Sequence, residues 1–195
     1  MQSSWACELL DSAPSGRVLE LCAGAGHIGL LTAVKSGREL VAVDVDPTAC
    51  HFARINAERA GIPGAVEVRE SLLNEAMDAA ERFALILADP PWVLTTDVGK
   101  YPDDPRLAID GGIDGLRVAM ECVDVARRHL MLQGSLLLQL GTEQQCRMVL
   151  ARTMRSGRWR DGGRRVGAGG VVQRLVRVDL GTTSAAIGQT VGDPG

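Results

Sequence analysis

Aromatic residues are scarce. Trp5, Phe52, Phe83, Trp92, Tyr101 and Trp159 are the full set, 3% of the 195 residues. So few rings leave no stacking platform of the kind that single-stranded nucleic acid needs. Lysine is rarer still: Lys35 and Lys100 are the two in the chain, and arginine supplies the rest of its 21 basic side chains. The cysteines (Cys7, Cys22, Cys50, Cys122, Cys146) are odd in number and scattered, and the histidines are His27, His51 and His129. Without a CxxC pair or ligand spacing there is no zinc pattern and no disulfide framework, and five reduced thiols fit a cytoplasmic protein. No run approaches the roughly 18 apolar residues of a membrane span. The start, Met1-Gln2-Ser3-Ser4-Trp5, lacks the basic head and apolar core of a signal peptide. Secretion and membrane association are not expected.

The sequence does have the balance of a globular domain, 46% hydrophobic and 23% charged. A single domain is expected over residues 1–180, with the Gly/Thr/Ser-rich stretch 181–195 read as a disordered tail. The net charge of −3 hides an asymmetry, because residues 147–177 hold nine arginines and one acid, Asp161. That local +8 reads either as a solvated helix and hairpin or as a surface for nucleic acid or an acidic partner.

Short apolar runs alternate with helical stretches, the pattern of a parallel sheet covered by helices. Strands are expected at Arg17–Cys22, Leu40–Val45, Val66–Arg69, Arg82–Ala88 and Gly134–Leu140. A closing antiparallel hairpin follows at Trp159–Val166 and Val171–Leu180. Helices are expected near Trp5–Leu10, from the glycine loop to Ser36, and at Pro47–Ala60, Ile113–Met131 and Thr142–Met154. Val93–Gly112, rich in turn residues and aspartate, reads as an active-site loop. The fold class is therefore α/β and Rossmann-like, a mostly parallel seven-stranded sheet with an antiparallel C-terminal hairpin.

Gly24-Ala25-Gly26-His27-Ile28-Gly29 spells G-x-G-x-x-G between a strand and a helix, and Asp44 ends the next strand 20 residues on. Glycines let the backbone turn tightly and approach a ligand, and the carboxylate accepts both hydroxyls of a ribose. An adenosine-containing cofactor follows, either a dinucleotide or S-adenosylmethionine. Glu20 favours the second. An anion four residues before Gly24 repels a pyrophosphate, but it attracts a methionine ammonium and sulfonium. A strand-end arginine partner for Glu20 is the structural alternative.

Asp89-Pro90-Pro91-Trp92 follows the fourth strand and faces the same crevice. Two prolines end the ladder and fix the direction of the carbonyls beside them. A carboxylate, a rigid carbonyl and an aromatic face suit a planar NH2 group, held with its lone pair toward an electrophile. Asp89 is also placed to take the proton lost from nitrogen.

Taken together, ELCAGAGHIG, AVDVDP and ADPPW resemble the class I S-adenosylmethionine-dependent N-methyltransferases. Tyr101–Ala119, with its Gly-Gly-x-Asp-Gly-Leu at Gly111–Leu116, and Leu136–Gln144 resemble the HemK family of protein-glutamine N5-methyltransferases, which modify peptide-chain release factors. The resemblance spans about Arg17 to Gln144. It implies the class I methyltransferase fold and S-adenosylmethionine as cofactor. Glu20, Gly24 and Gly26 would line its methionine end, Asp44 would hold its ribose, Ser71 and Leu72 would border its adenine, and Ala23 and Val45 would also contact the cofactor. Asp89 would border the cofactor as well as the acceptor, and Asp89, Pro90, Pro91 and Trp92 would hold the amide nitrogen. Two departures stand out: Ser71 replaces an acidic residue, and Asp89 and Trp92 replace the Asn and Tyr of Asn-Pro-Pro-Tyr. The resemblance implies a protein substrate; bacterial members carry an N-terminal helical domain and short members work with a small partner subunit, which leaves such a subunit open as one option here. RNA or DNA exocyclic amines and small-molecule amines are the competing acceptors. A nicotinamide-dependent oxidoreductase would share the glycine loop but leave Asp89–Trp92 without a task.

Overall fold

A computed structural model describes residues 2–11, 13–167 and 169–179. The tail 181–195 lies outside the described residues. Val18–Leu21 (β1) and Phe83–Ala88 (β4) are buried at every position and apolar except for Glu20. Strands of that composition need cover on both faces, which places them mid-sheet with parallel neighbours. Leu40–Asp44 (β2), Val66–Glu70 (β3), Leu130–Leu140 (β5), Trp159–Gly167 (β6) and Gly170–Arg177 (β7) complete a seven-stranded sheet ordered β3-β2-β1-β4-β5-β7-β6. The first five strands pair in parallel and β7 runs antiparallel to both β5 and β6, as the sequence pattern predicts.

Helices sandwich this sheet. Gln2–Leu10 (α1), His27–Ser36 (α2) and Pro47–Arg59 (α3) bury Trp5, Leu30, Ala33 and Ala57 against Leu40, Leu85, Leu87 and Leu137 on one face. On the other, Arg117–His129 (α5) and Glu143–Thr153 (α6) bury Ala119, Cys122, Cys146 and Val149 against Leu19, Ile86 and Leu138. The short helix Arg106–Ile109 (α4) lies between β4 and α5. Local chemistry sets the helix starts. Asp46 caps α3 by accepting from the Thr48 N–H at 2.8 Å with Pro47 in the first turn, and Thr142 and Gln145 form a capping box on α6. Trp5 packs in the core with the Arg165 guanidinium 4.6 Å over its ring, so it joins α1 to the hairpin. All five cysteines are free thiols, and among the described residues no helix is long and apolar enough to cross a membrane.

The main differences from expectation fall around α5 and in the 93–112 stretch. The helix expected over Ile113–Met131 begins only at Arg117 and stops at His129, where Leu130 pairs with Phe83. Gln133, at φ 62°, then lets the strand resume at a shifted register. The 93–112 stretch is not structureless either. It holds a 3-10 turn at Val98–Lys100, α4, and a bridge between Val93 and Asp110.

Most of the arginines in 147–177 have partners elsewhere in the fold. Arg164 pairs with Glu143, Arg152 with Asp114 and Arg165 with Glu8, while Arg174 donates to Ser135. Solvent screens such exposed pairs, so they organise the surface more than they stabilise it.

Candidate active site

β1 lies between β2 and β4, so the sheet grows in opposite directions from its middle. The crevice above the carboxyl ends at such a reversal is the usual ligand site of an α/β sheet. The glycine loop, Asp44 and Asp89 all emerge there.

Ala23 N–H donates to the Val43 carbonyl at 3.0 Å, and Gly24 N–H donates to Asp44 Oδ2 at 2.7 Å. Asp44 Oδ1 also accepts from the Asp46 N–H at 2.9 Å, so one carboxylate ties the glycine loop to the end of β2. Gly26 takes φ 77° where the chain turns into α2, a left-handed conformation that a side chain would strain. Gly29 answers a different need. Glu20 lies flat against it and accepts its N–H at 3.0 Å, and a Cβ on Gly29 would sit 2.4 Å from Glu20 Oε2. Glu20 is 2% exposed, and among the described residues no arginine partners it. Burial, with smaller contributions from the charges of Asp89 and Asp44, pushes its carboxyl up to about 8. Its Oε2 is buried with no hydrogen-bond partner among the described residues. A cation brought beside that orphaned acceptor would meet an unsatisfied carboxyl oxygen.

Ser71 N–H donates to the Asp44 carbonyl at 2.9 Å, which brings Ser71 and Leu72 beside Asp44 and Val45. Leu72 and Val45 are 53% and 45% exposed, two open apolar side chains flanking a polar turn. The Ser71 hydroxyl is directed to its neighbour's carbonyl, Leu72, at 3.2 Å.

Asp89 is held at the end of β4 by its N–H to the Leu21 carbonyl at 3.4 Å. Burial raises its carboxyl above the usual range, against the opposing influence of His27 at the start of α2. Pro90 is buried, and Pro91 and Trp92 are half-buried. Their bed is made of glycine. A Cβ on Gly111 would meet the Pro91 carbonyl oxygen at 2.7 Å, one on Gly115 the Trp92 carbonyl oxygen at 2.4 Å, and one on Gly141 the Trp92 ring at 2.2 Å. The glycines of Gly-Gly-x-Asp-Gly-Leu are thus the room into which the backbone after Asp89 is pressed. The acids beside them fix the segment. Asp110 accepts from Thr95 Oγ1 at 2.7 Å and from the Gly112 N–H at 3.0 Å, and Asp114 accepts from the Leu116 N–H at 3.0 Å and from Arg152 at 2.8 Å. Those partners hold both carboxyls below the ordinary range, the Thr95 hydroxyl leading for Asp110 and the Arg152 guanidinium for Asp114.

The Gly115→Ala variant is therefore expected to lower both turnover and melting temperature, since φ 69° and the clash act together at a cost of roughly 1–3 kcal/mol. Gly99→Ala, with nothing within 4 Å of the added carbon, is the matched control and should change neither in a thermal melt and assay.

Two residues at this end carry no motif signal. Gln2 is 5% exposed, and its Nε2 donates to the carbonyls of Leu137 at 3.0 Å and Ala88 at 3.2 Å, steadying the strand end that presents Asp89. Gln145 reaches the Trp92 carbonyl at 2.9 Å.

Comparison with known proteins bears on the same crevice. The family model for the methyltransferase small domain matches residues 3–100, from α1 through the glycine loop, Asp44 and Asp89–Trp92. The chain belongs to the methyltransferase small-domain family. The ribosomal protein uL3 glutamine methyltransferase of Burkholderia pseudomallei is 31% identical over 140 residues, 66% of this chain and 46% of that protein. The release factor glutamine methyltransferase of Geobacter sulfurreducens is 34% identical over 157 residues, 77% of this chain and 54% of that protein. The chain thus spans about half the length of these curated relatives. Among solved structures, a ribosomal protein L11 methylase from Lactobacillus delbrueckii subsp. bulgaricus covers 91% of this chain and 79% of its own at TM-score 0.63 and 14% identity. An RNA methyltransferase from Salinibacter ruber, solved with S-adenosyl-L-homocysteine, covers 91% and 90% at TM-score 0.59 and 18% identity. At such identities these two establish the fold, that of the class I methyltransferases.

S-adenosylmethionine is the cofactor this family implies, and the residues fit it. Glu20 offers a buried, unpartnered acceptor for a cation, Asp44 a half-buried carboxylate for a diol, and Val45 and Leu72 exposed apolar surface for a flat base. A Cβ on Gly24 would meet nothing within 4 Å, so the loop opens onto free space.

Proposed function

We propose that this methyltransferase domain, residues 1–180, transfers a methyl group from S-adenosylmethionine to a side-chain nitrogen of a protein, most specifically the amide of a glutamine. The observation that carries the reading is the Asp89–Trp92 segment seated on Gly111, Gly115 and Gly141 at the end of β4, next to the strand of Glu20 and two strands from that of Asp44. Names of the relatives, glutamine methyltransferases of uL3 and of release factors, support the acceptor class.

In this reading Glu20 and the loop residues Ala23, Gly24 and Gly26 hold the methionine end. Asp44 holds the ribose, and Val45, Ser71 and Leu72 border the adenine. When bound, S-adenosylmethionine supplies an electrophilic methyl group on sulfonium. The chain's own work is on the acceptor. Asp89 and a carbonyl fixed by Pro90 and Pro91 accept the two hydrogens of the NH2 group, and the Trp92 ring covers its flat face. This turns the nitrogen lone pair toward the cofactor side of the crevice, and positioning of that kind is the main source of rate in a two-substrate transfer. Asp89, raised by burial, then holds the proton released from nitrogen.

Incubation with S-adenosylmethionine and either a uL3 or a release factor, followed by peptide mass spectrometry, tests the acceptor. One methyl group on a glutamine is expected, and no glutamine methylation in either protein would overturn the protein-glutamine reading. Asp44→Ala is expected to weaken cofactor binding by about tenfold or more, for the loss of charge-assisted hydrogen bonds. Unchanged affinity in calorimetry would take Asp44 out of the site.

A nucleic-acid amine is the second reading, favoured by one observation. At the amino edge of the sheet, opposite the crevice, Arg177 donates to the Leu130 carbonyl at 3.0 Å, and burial first, then the charges of Arg158, Arg82 and Arg127, lower its pKa. Binding to phosphates there would make activity fall steeply with salt. A flat salt response is expected for the protein substrate.

A further inference from the structure

Gln145 is the N3 residue of α6, and the bland account of it is a helix cap. Its Oε1 accepts from the Gly141 N–H at 2.9 Å and the Thr142 N–H at 3.1 Å, while Thr142 Oγ1 accepts from its backbone N–H at 3.2 Å. That capping box uses one end of the amide. The other end points away from the helix: Nε2 donates to the Trp92 carbonyl at 2.9 Å, with the Asp114 and Gly115 carbonyls at 3.4 and 3.5 Å. The side chain is 6% exposed, so these bonds form out of water, where an unmet acceptor is costly. Three separate stretches of chain meet on one amide: the turn after β5, the Asp89–Trp92 segment, and Gly-Gly-x-Asp-Gly-Leu. Crowding shows how close the join is, because a Cβ on Gly115 would fall 2.2 Å from Nε2.

We infer that Gln145 is a positioning residue for the methyl-acceptor pocket, fixing the Trp92 carbonyl and with it the direction of the Trp92 ring and of the backbone carbonyls before it. The inference rests on the methyl-transfer reading for its effect on turnover, but the join itself does not depend on it. Position N3 of a capping box accepts Glu as readily as Gln, because capping needs only an acceptor oxygen there. The join to Trp92 needs a donor, which an ionised Glu lacks.

Gln145→Glu separates the two roles. It preserves both bonds to the Gly141 and Thr142 N–H groups and turns a second oxygen toward three carbonyls. A mere cap would leave the variant like the parent, or slightly more stable through the helix dipole. A clamp would loosen Trp92: acrylamide quenching of its fluorescence should rise, read against a Trp92→Phe baseline, and turnover should fall about 10²-fold, as for a small misplacement of reacting groups. Affinity for S-adenosylmethionine in calorimetry should stay unchanged, because Glu20 and Asp44 are untouched. Should the carboxylate prevent folding, Gln145→Met removes the cap bonds together with the join and adds no charge, so it is read against Thr142→Val, which weakens the cap alone. Parent-like quenching in both Gln145 variants overturns the inference. Increased quenching in a protein whose parent transfers no methyl group would sustain the clamp and instead count against the methyltransferase reading.

Discussion

Asp89→Ala is expected to cut turnover by about 10²–10⁴-fold, the range for removing a group that both orients the nucleophile and takes its proton. Affinity for S-adenosylmethionine should be nearly unchanged, because the contacts assigned to the cofactor lie mainly on β1, β2 and the glycine loop. Asp89 is held above the ordinary carboxylate range by burial, and it must be ionised to accept from an NH2 group and to receive a proton. Turnover should therefore rise with pH through that elevated value and level off above it. Asp89→Asn is the sharper variant: it keeps an acceptor oxygen but cannot take the proton, so its pH profile should lose the acid limb. Initial rates measured across pH check both statements. An Asp89→Ala protein with parental turnover would remove the residue from catalysis.

Glu20→Gln is expected to act in opposite directions on binding and on stability. A charge-assisted contact to a cation is worth about 1.5–3 kcal/mol, so affinity for S-adenosylmethionine should fall roughly 10- to 100-fold. Glu20 is raised from an ordinary 4.5 to about 8 in the folded chain, so the folded state holds a proton there that the unfolded state has released. Stability contributed by the protonated form is present below about pH 4.5 and is lost as pH rises through about 8. The neutral glutamine escapes that loss, so Glu20→Gln without cofactor should melt higher than the parent above pH 8. Cofactor binding needs the charged form, hence affinity should climb with pH toward about 8 and calorimetry below it should detect a released proton. A variant with parental affinity and no proton release would show that Glu20 serves only to anchor Gly29.

What the sequence made legible was what is local. The glycine loop, Asp44 and Asp89–Trp92 each need only a few neighbouring residues to state their chemistry, and the structure brings all of them to one end of the sheet. The buried strands β1 and β4 were legible because a continuous apolar run has few other places to go. The end of α5 was not, since Leu130–Leu132 is apolar in either conformation and only pairing with Phe83 decides it. Gln2 and Gln145 were missed for a different reason. They work through carbonyls 86 and 53 residues away, and a glutamine in a helix gives no sign of such a partner. The third glycine of the loop was legible as a motif but not as a cause. It is small because Glu20 lies against it.

The central claim, methyl transfer to a protein nitrogen at Asp89, is tested most directly with methyl-labelled S-adenosylmethionine, the parent and Asp89→Ala proteins, and a cell extract lacking this activity, with the product split between protease and nuclease. Label that protease releases and nuclease does not is expected from the parent, and almost none from Asp89→Ala. Label released by nuclease, passing a small-pore filter, or equal in the two proteins would contradict it.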